Sequence, residues 1–180
     1  MKRQKRKLNR LKDYDYSTCG YYYVTICIRD KVSVFGEIKN ETMVLNHFGK
    51  IAGRRWREIP EHYENVGIDS YVIMPNHIHG IIIIKPYDNN TSVGTEQCSV
   101  PTVIGKKSSS KKYGLLSKII KSFKNTVIKD VREIDPDFDF GWQRSFYDHI
   151  IRKDDVLTEI RKYIAENPLK WYLDQYNREK

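Results

Sequence analysis

The run YVIMPNHIHGIIII (71–84) restricts the fold more than any other part of the chain. Pro75-Asn76 interrupts an extended apolar stretch, and HIHGIIIIK (77–85) after it reads as a strand. Side chains alternate faces along a strand, so His77 and His79 point one way and Ile78 the other. The four isoleucines that follow place the histidines at the start of a buried strand, where polar rings need partners. Two neutral imidazoles on one face can grip a divalent cation. They can equally be a polar pair with hydrogen-bond partners nearby, and H-x-H alone leaves both readings open.

Around this strand the periodicities alternate between two and three-to-four residues. GYYYVTICIRD (20–30) is β-branched and aromatic and predicts a strand. VSVFGEI (32–38) and TMVLNH (42–47), separated by Lys39-Asn40-Glu41, predict a hairpin. Phe48, Ile51, Ala52, Trp56 and Ile59 recur at helical spacing until Pro60 stops them. Residues 66–74 predict another strand. Leu115, Ile119, Phe123, Val127 and Val131 mark a second helix, with Lys118, Lys121, Lys124 and Lys129 on or near its other side. The turn-rich DPDFDFGWQRSFYDH leads to a last helix, which starts near Asp154 or Asp155 as N-cap and ends at Asn167-Pro168. Residues 86–112 lose all periodicity and read as a mobile loop. The order βββαββ–loop–αα fits an α+β sandwich, an antiparallel sheet with helices packed on it. At 180 residues, 1–180 is expected to form one domain, preceded by a basic arm at 1–18.

Thirty-two Lys and Arg against 23 Asp and Glu leave a charge of +9, which suits a polyanionic partner such as nucleic acid. No apolar run approaches the ~20 residues a membrane span needs, and no apolar segment follows the basic start, so no membrane role and a cytoplasmic location are expected. Cys19, Cys27 and Cys98 lack C-x-x-C spacing and form neither a disulfide framework nor a zinc knuckle.

A metal site needs further donors, and RKYIAENP supplies candidates. Tyr163 and Asn167 stand at i and i+4 on one helix face, so the amide oxygen can complete a two-histidine site with the phenol beside it. A phenol of pKa ~10 attacks poorly at neutral pH unless a metal polarises the electrophile. Tyr163 could also be core aromatic, and Tyr147 in SFYDHIIR is a chemical rival.

Taken together, VIMPNHIHGIIII, SKIIKSFKN, GWQRSFYDHIIR and YIAENPLKW resemble the single-tyrosine HUH transposases, and among them the REP-associated tyrosine transposases. The resemblance runs from Tyr21 to Trp171, with four motifs in the family's order. It implies a ferredoxin-like sandwich with the histidine strand central in the sheet. It also implies that His77 and His79 bind a divalent metal, Mg or Mn, with Asn167 as third ligand and Tyr163 as nucleophile. The implied reaction nicks and rejoins single-stranded DNA beside hairpins through a 5′-phosphotyrosine link. Lys5, Arg6, Arg10, Lys121, Lys124, Gln143, Arg144, His149 and Arg152 are candidate DNA contacts. Monomer and homodimer both remain open. A non-catalytic hairpin binder and a phosphoesterase using water are the competing readings. The long polar stretch and the short tail after Tyr172 depart from the family pattern, and neither is expected to touch the site.

Overall fold

The computed structural model describes residues 11, 14–86 and 114–177. Lys5, Arg6 and Arg10 of the basic arm, Cys98, and all of the 86–112 stretch except Pro86 lie outside them. In chain order the elements are β1 (Gly20–Cys27), β2 (Gly36–Lys39), β3 (Thr42–Leu45), α1 (His47–Arg57), β4 (Val66–Ile73), β5 (His77–Ile84), α2 (Leu115–Ile134), β6 (Tyr147–Ile151) and α3 (Asp154–Glu166).

Four strands form one antiparallel sheet in the order β4-β5-β1-β6, which puts the histidine strand β5 inside it. β1 and β4 each run antiparallel to β5, so they are parallel to each other, joined through α1. The same logic makes β5 and β6 parallel, joined through α2. Two interleaved βαβ units in this order make the ferredoxin-like sandwich. The β2–β3 hairpin is an insertion ahead of α1, turned by Asn40 and Glu41, both at positive φ. It is shorter than predicted: Val34 and Phe35 do not join it and instead donate backbone N–H bonds to the Pro75 carbonyl. Asn46 caps α1 by accepting from the Gly49 N–H at 2.9 Å.

β6 lies in what reads from sequence as a turn-rich connection, so the expected element order lacked the fourth strand. Its polarity is inverted. Asp148 is buried while Tyr147 is 48% exposed, and an apolar/polar pattern cannot find such a strand. At α3 the cap is Lys153, with Asp154 and Asp155 in the first turn, and the helix stops at Asn167 as expected.

Alternation along the strands sorts the core into two layers. Tyr22, Val24 and Ile26 of β1 and Ile78, Ile82 and Ile84 of β5 face α1 and α2 in the main core. Gly80 belongs to this face, and any side chain there would overlap the Trp56 ring of α1. On the opposite face Tyr23, Ile81 and Ile151 pack with Leu157 and Ile164 of α3. His77 and His79 therefore share their face with α3.

Asp130 of α2 latches the main layer. It accepts from Arg55 Nε at 2.6 Å and Arg55 Nη2 at 2.9 Å, and from Arg54 at 3.1 Å. The hydrogen bonds from Arg55 hold its carboxyl below the usual range, burial opposing them. Asp130→Asn is expected to cost about 1–3 kcal/mol at pH 7 in denaturant unfolding. A lowered folded-state pKa gives stability that is present above about pH 4 and fades in more acid solution. The gap between wild type and variant should therefore narrow as the pH drops below 4.

Candidate metal centre and its tyrosine

Met74-Pro75-Asn76 sets the geometry by turning β4 back into β5. The turn is tied down by Met74 N–H to His77 O at 2.8 Å and Ile28 N–H to Asn76 O at 2.9 Å. His77 and His79, 0% and 1% exposed, then project side by side with their Nε2 atoms 3.0 Å apart. His77 Nδ1 lies 2.8 Å from Asn76 Oδ1. His79 Nδ1 lies 2.7 Å from the Tyr23 hydroxyl and 2.9 Å from Thr25 Oγ1, both on the neighbouring strand β1. Burial holds both imidazoles neutral, His79 down at about 3 and His77 well below its ordinary value, the latter also disfavoured by His79 and Lys31. Neutral imidazoles are the form that binds metal.

α3 carries the second half of the site, packed on the same face of the sheet. Ile164 faces the apolar layer, and Tyr163 brings its hydroxyl to 3.4 Å from His79 Nε2. Arg161 fixes the helix against β4 through Asp69, at 2.6 and 3.0 Å. One turn beyond Tyr163, Asn167 is 3% exposed, and its Oδ1 has no hydrogen-bond partner among the described residues. Tyr163 itself is 42% exposed. Its pKa is raised by burial and by the Asp174 charge, with hydrogen bonds to Asn167 and Tyr23 pulling the other way. At neutral pH it is a protonated phenol.

A carboxylate completes the cluster. Asp174 Oδ2 lies 3.9 Å from His77 Nε2, and one donor atom each from His77, His79 and Asp174 fall within 4.8 Å of one another. Two imidazole nitrogens and a carboxylate form a mixed N/O donor set that fits a divalent ion. This group could hold a metal.

No protein-family model matches the chain. A protein of Haemophilus influenzae, described as uncharacterized, is 38% identical over 175 residues, covering 94% of this chain and 92% of its own. The two belong to one family. Among solved structures the chain is similar to a REP-associated tyrosine transposase bound to a REP hairpin, with TM-score 0.49 and 16% identity over 95% of this chain and 74% of that one. It is also similar to a candidate transposase of Deinococcus radiodurans, with TM-score 0.47 and 10% identity over 87% of this chain and 96% of that one.

In this member of the family the expected site residues separate into groups. His77, His79, Tyr163 and Asn167 come together, and Tyr163 rather than Tyr147 carries its hydroxyl to a histidine. His149 is exposed on β6 opposite Tyr23, which places it on the site's face, and Arg144 and Arg152 are exposed nearby in sequence. Gln143 is partly buried, its backbone N–H bonded to Cys27 O at 2.9 Å. Lys121 is exposed on α2, which packs on the opposite face of the sheet from the histidines. Lys124 does not face solvent: it is 9% exposed and donates to the carbonyls of Gln143 at 2.9 Å and Ser145 at 3.1 Å. It holds the 143–145 segment, so its charge is spent inside the fold. The tail after Tyr172, expected to stay clear, instead closes over the pair. Tyr176 lies 4.6 Å from the His77 ring, and Asp174 comes from the same segment. One aspartate in LDQYNREK carries no spacing that could have marked it in the sequence.

Proposed function

We propose that this chain is a metal-dependent endonuclease of the single-tyrosine HUH type, cutting and rejoining single-stranded DNA beside hairpins. The observation that carries the reading is the Tyr163 hydroxyl 3.4 Å from His79 Nε2, which joins YIAENP to PNHIH across 84 residues. The four motifs that resemble the REP-associated tyrosine transposases supply the substrate class. The net charge of +9 agrees with it, and binding should fall steeply with salt.

In this reading His77, His79 and Asp174, with Asn167 in reserve, hold Mg²⁺ or Mn²⁺. Such an ion, when bound, draws electron density from the phosphoryl oxygens and stabilises the charge that builds there. Tyr163 Oη attacks the scissile phosphorus and loses its proton as the P–O bond to the 3′ oxygen breaks. The products are a 5′-phosphotyrosine link and a free 3′-OH. A second 3′-OH, or water, then displaces the tyrosine. One phosphodiester is exchanged for another ester of similar energy, so the cycle needs no nucleotide. His149, Arg144 and Arg152, beside or near this face, are the contacts we assign to the DNA strand.

The test is incubation with hairpin-bearing single-stranded DNA and Mn²⁺, followed by denaturing electrophoresis. A covalent protein–DNA adduct supports the proposal. Cleavage without an adduct would assign the attack to water, and binding without cleavage would make the chain a hairpin binder.

A further inference from the structure

The buried side chain of Asn76 has an orientation that its neighbours decide. It is 1% exposed, and one end of its amide lies 3.0 Å from Lys31 O and 2.8 Å from Tyr176 O. Both partners are carbonyl oxygens, which only accept, so that end must be the NH₂ group. The other end is then Oδ1, also only an acceptor, and it faces His77 Nδ1 at 2.8 Å. His77 must therefore carry its proton on Nδ1, leaving the Nε2 lone pair directed at His79 and Asp174.

The second ring follows from the first. His77 Nε2 is an acceptor, and the 3.0 Å contact with His79 Nε2 needs one proton, so His79 supplies it. His79 Nδ1 is then an acceptor, and the hydroxyl of Tyr23 at 2.7 Å or of Thr25 at 2.9 Å can donate to it. A hydroxyl rotates and can accept as readily as it donates. Asn76 has no such freedom, because two carbonyls fix it.

We propose that Asn76 is a positioning residue that presets His77 as a metal ligand, and that His79 is the ring that changes tautomer when metal binds. For His79 to offer its Nε2 lone pair, the proton leaves Nε2 for solvent and one from solvent is taken up at Nδ1. The Tyr23 or Thr25 hydroxyl turns from donor to acceptor, and the net charge of the rings is unchanged. The second half of the proposal rests on the metal reading given above; the first half does not.

The experiment is long-range ¹H–¹⁵N correlation of the histidine rings in the full chain, metal-free and then with Zn²⁺ alone as a diamagnetic probe. The metal-free protein is expected to show His77 protonated at Nδ1 and His79 at Nε2. Zinc should move the His79 proton to Nδ1 and leave His77 as it was. In Asn76→Ala, with the backbone amide spectrum confirming the fold, His77 should spread over both tautomers and zinc affinity should fall about 10–100-fold. Asn76→Asp keeps the acceptor and should retain the Nδ1 proton. Wild-type His77 protonated at Nε2, or an Asn76→Ala protein whose His77 stays at Nδ1, would overturn the role of Asn76. A zinc-loaded protein in which His77 is the ring that switches would overturn the assignment to His79. The expected metal-free tautomers with no zinc uptake would uphold Asn76 and sink the metal reading instead.

Discussion

Tyr163→Phe is expected to abolish the covalent DNA adduct, lowering its rate of formation by at least ~10³-fold, with hairpin binding and thermal stability close to wild type. The change removes one oxygen and little else. The ring is 42% exposed, and its packing on His79 at 5.3 Å and Tyr23 at 6.4 Å needs no hydroxyl. What goes is the phenol oxygen that lies 3.4 Å from His79 Nε2. Tyr147→Phe is the matching control, since that tyrosine touches the Tyr23 ring at 6.3 Å and is 48% exposed. Adduct formation that survives in Tyr163→Phe and vanishes in Tyr147→Phe would transfer the nucleophile to β6.

His79→Ala, and separately His77→Ala, should weaken Mn²⁺ binding by more than ~100-fold in titration calorimetry, beyond the 10–100-fold typical of residues that merely support ligands. These nitrogens come from a strand bonded to a neighbour on each side, which holds their backbone in place. The oxygen donors differ in kind. Asp174 brings a charge on the segment after α3, whereas Asn167 brings a neutral, buried oxygen without a hydrogen-bond partner among the described residues. Asp174→Asn should cost more affinity than Asn167→Ala if the carboxylate is the third ligand. The reverse order would restore Asn167 to that place.

Much of this architecture can be read from residue order alone. The strand at 77–84, the helix ending at Asn167 and the shared face of Tyr163 and Asn167 all follow from spacing and from proline's effect on the residue before it. The face occupied by α2 does not. A helical pattern shows which side of a helix meets the core, not which side of the sheet holds that core, so it cannot tell that Lys121 lies on the face away from the histidines. The burial of Lys124 has no sequence signal either, because a lysine stem can run inward to backbone carbonyls that no periodicity reveals. β6 was missed because Asp148 points in and Tyr147 points out. Asp174 is recruited only by the turn of the chain after α3, a tertiary fact with no local signature.

The two layers of the sandwich are unequal, and the site lies on the face of the smaller one, between β5 and α3. β5 is bonded to a strand on each side and backed by the large cluster under α1 and α2. α3 is held by the small group around Leu157 and Ile164 and by the ion pair of Arg161 with Asp69. Such a partly exposed pair adds only ~1 kcal/mol or less. The histidines and the tyrosine are therefore expected to open separately: amide exchange on α3 should run through a cheaper, sub-global opening than exchange on β5. Trimming Ile164 would then disarm the chemistry well before it melts the protein.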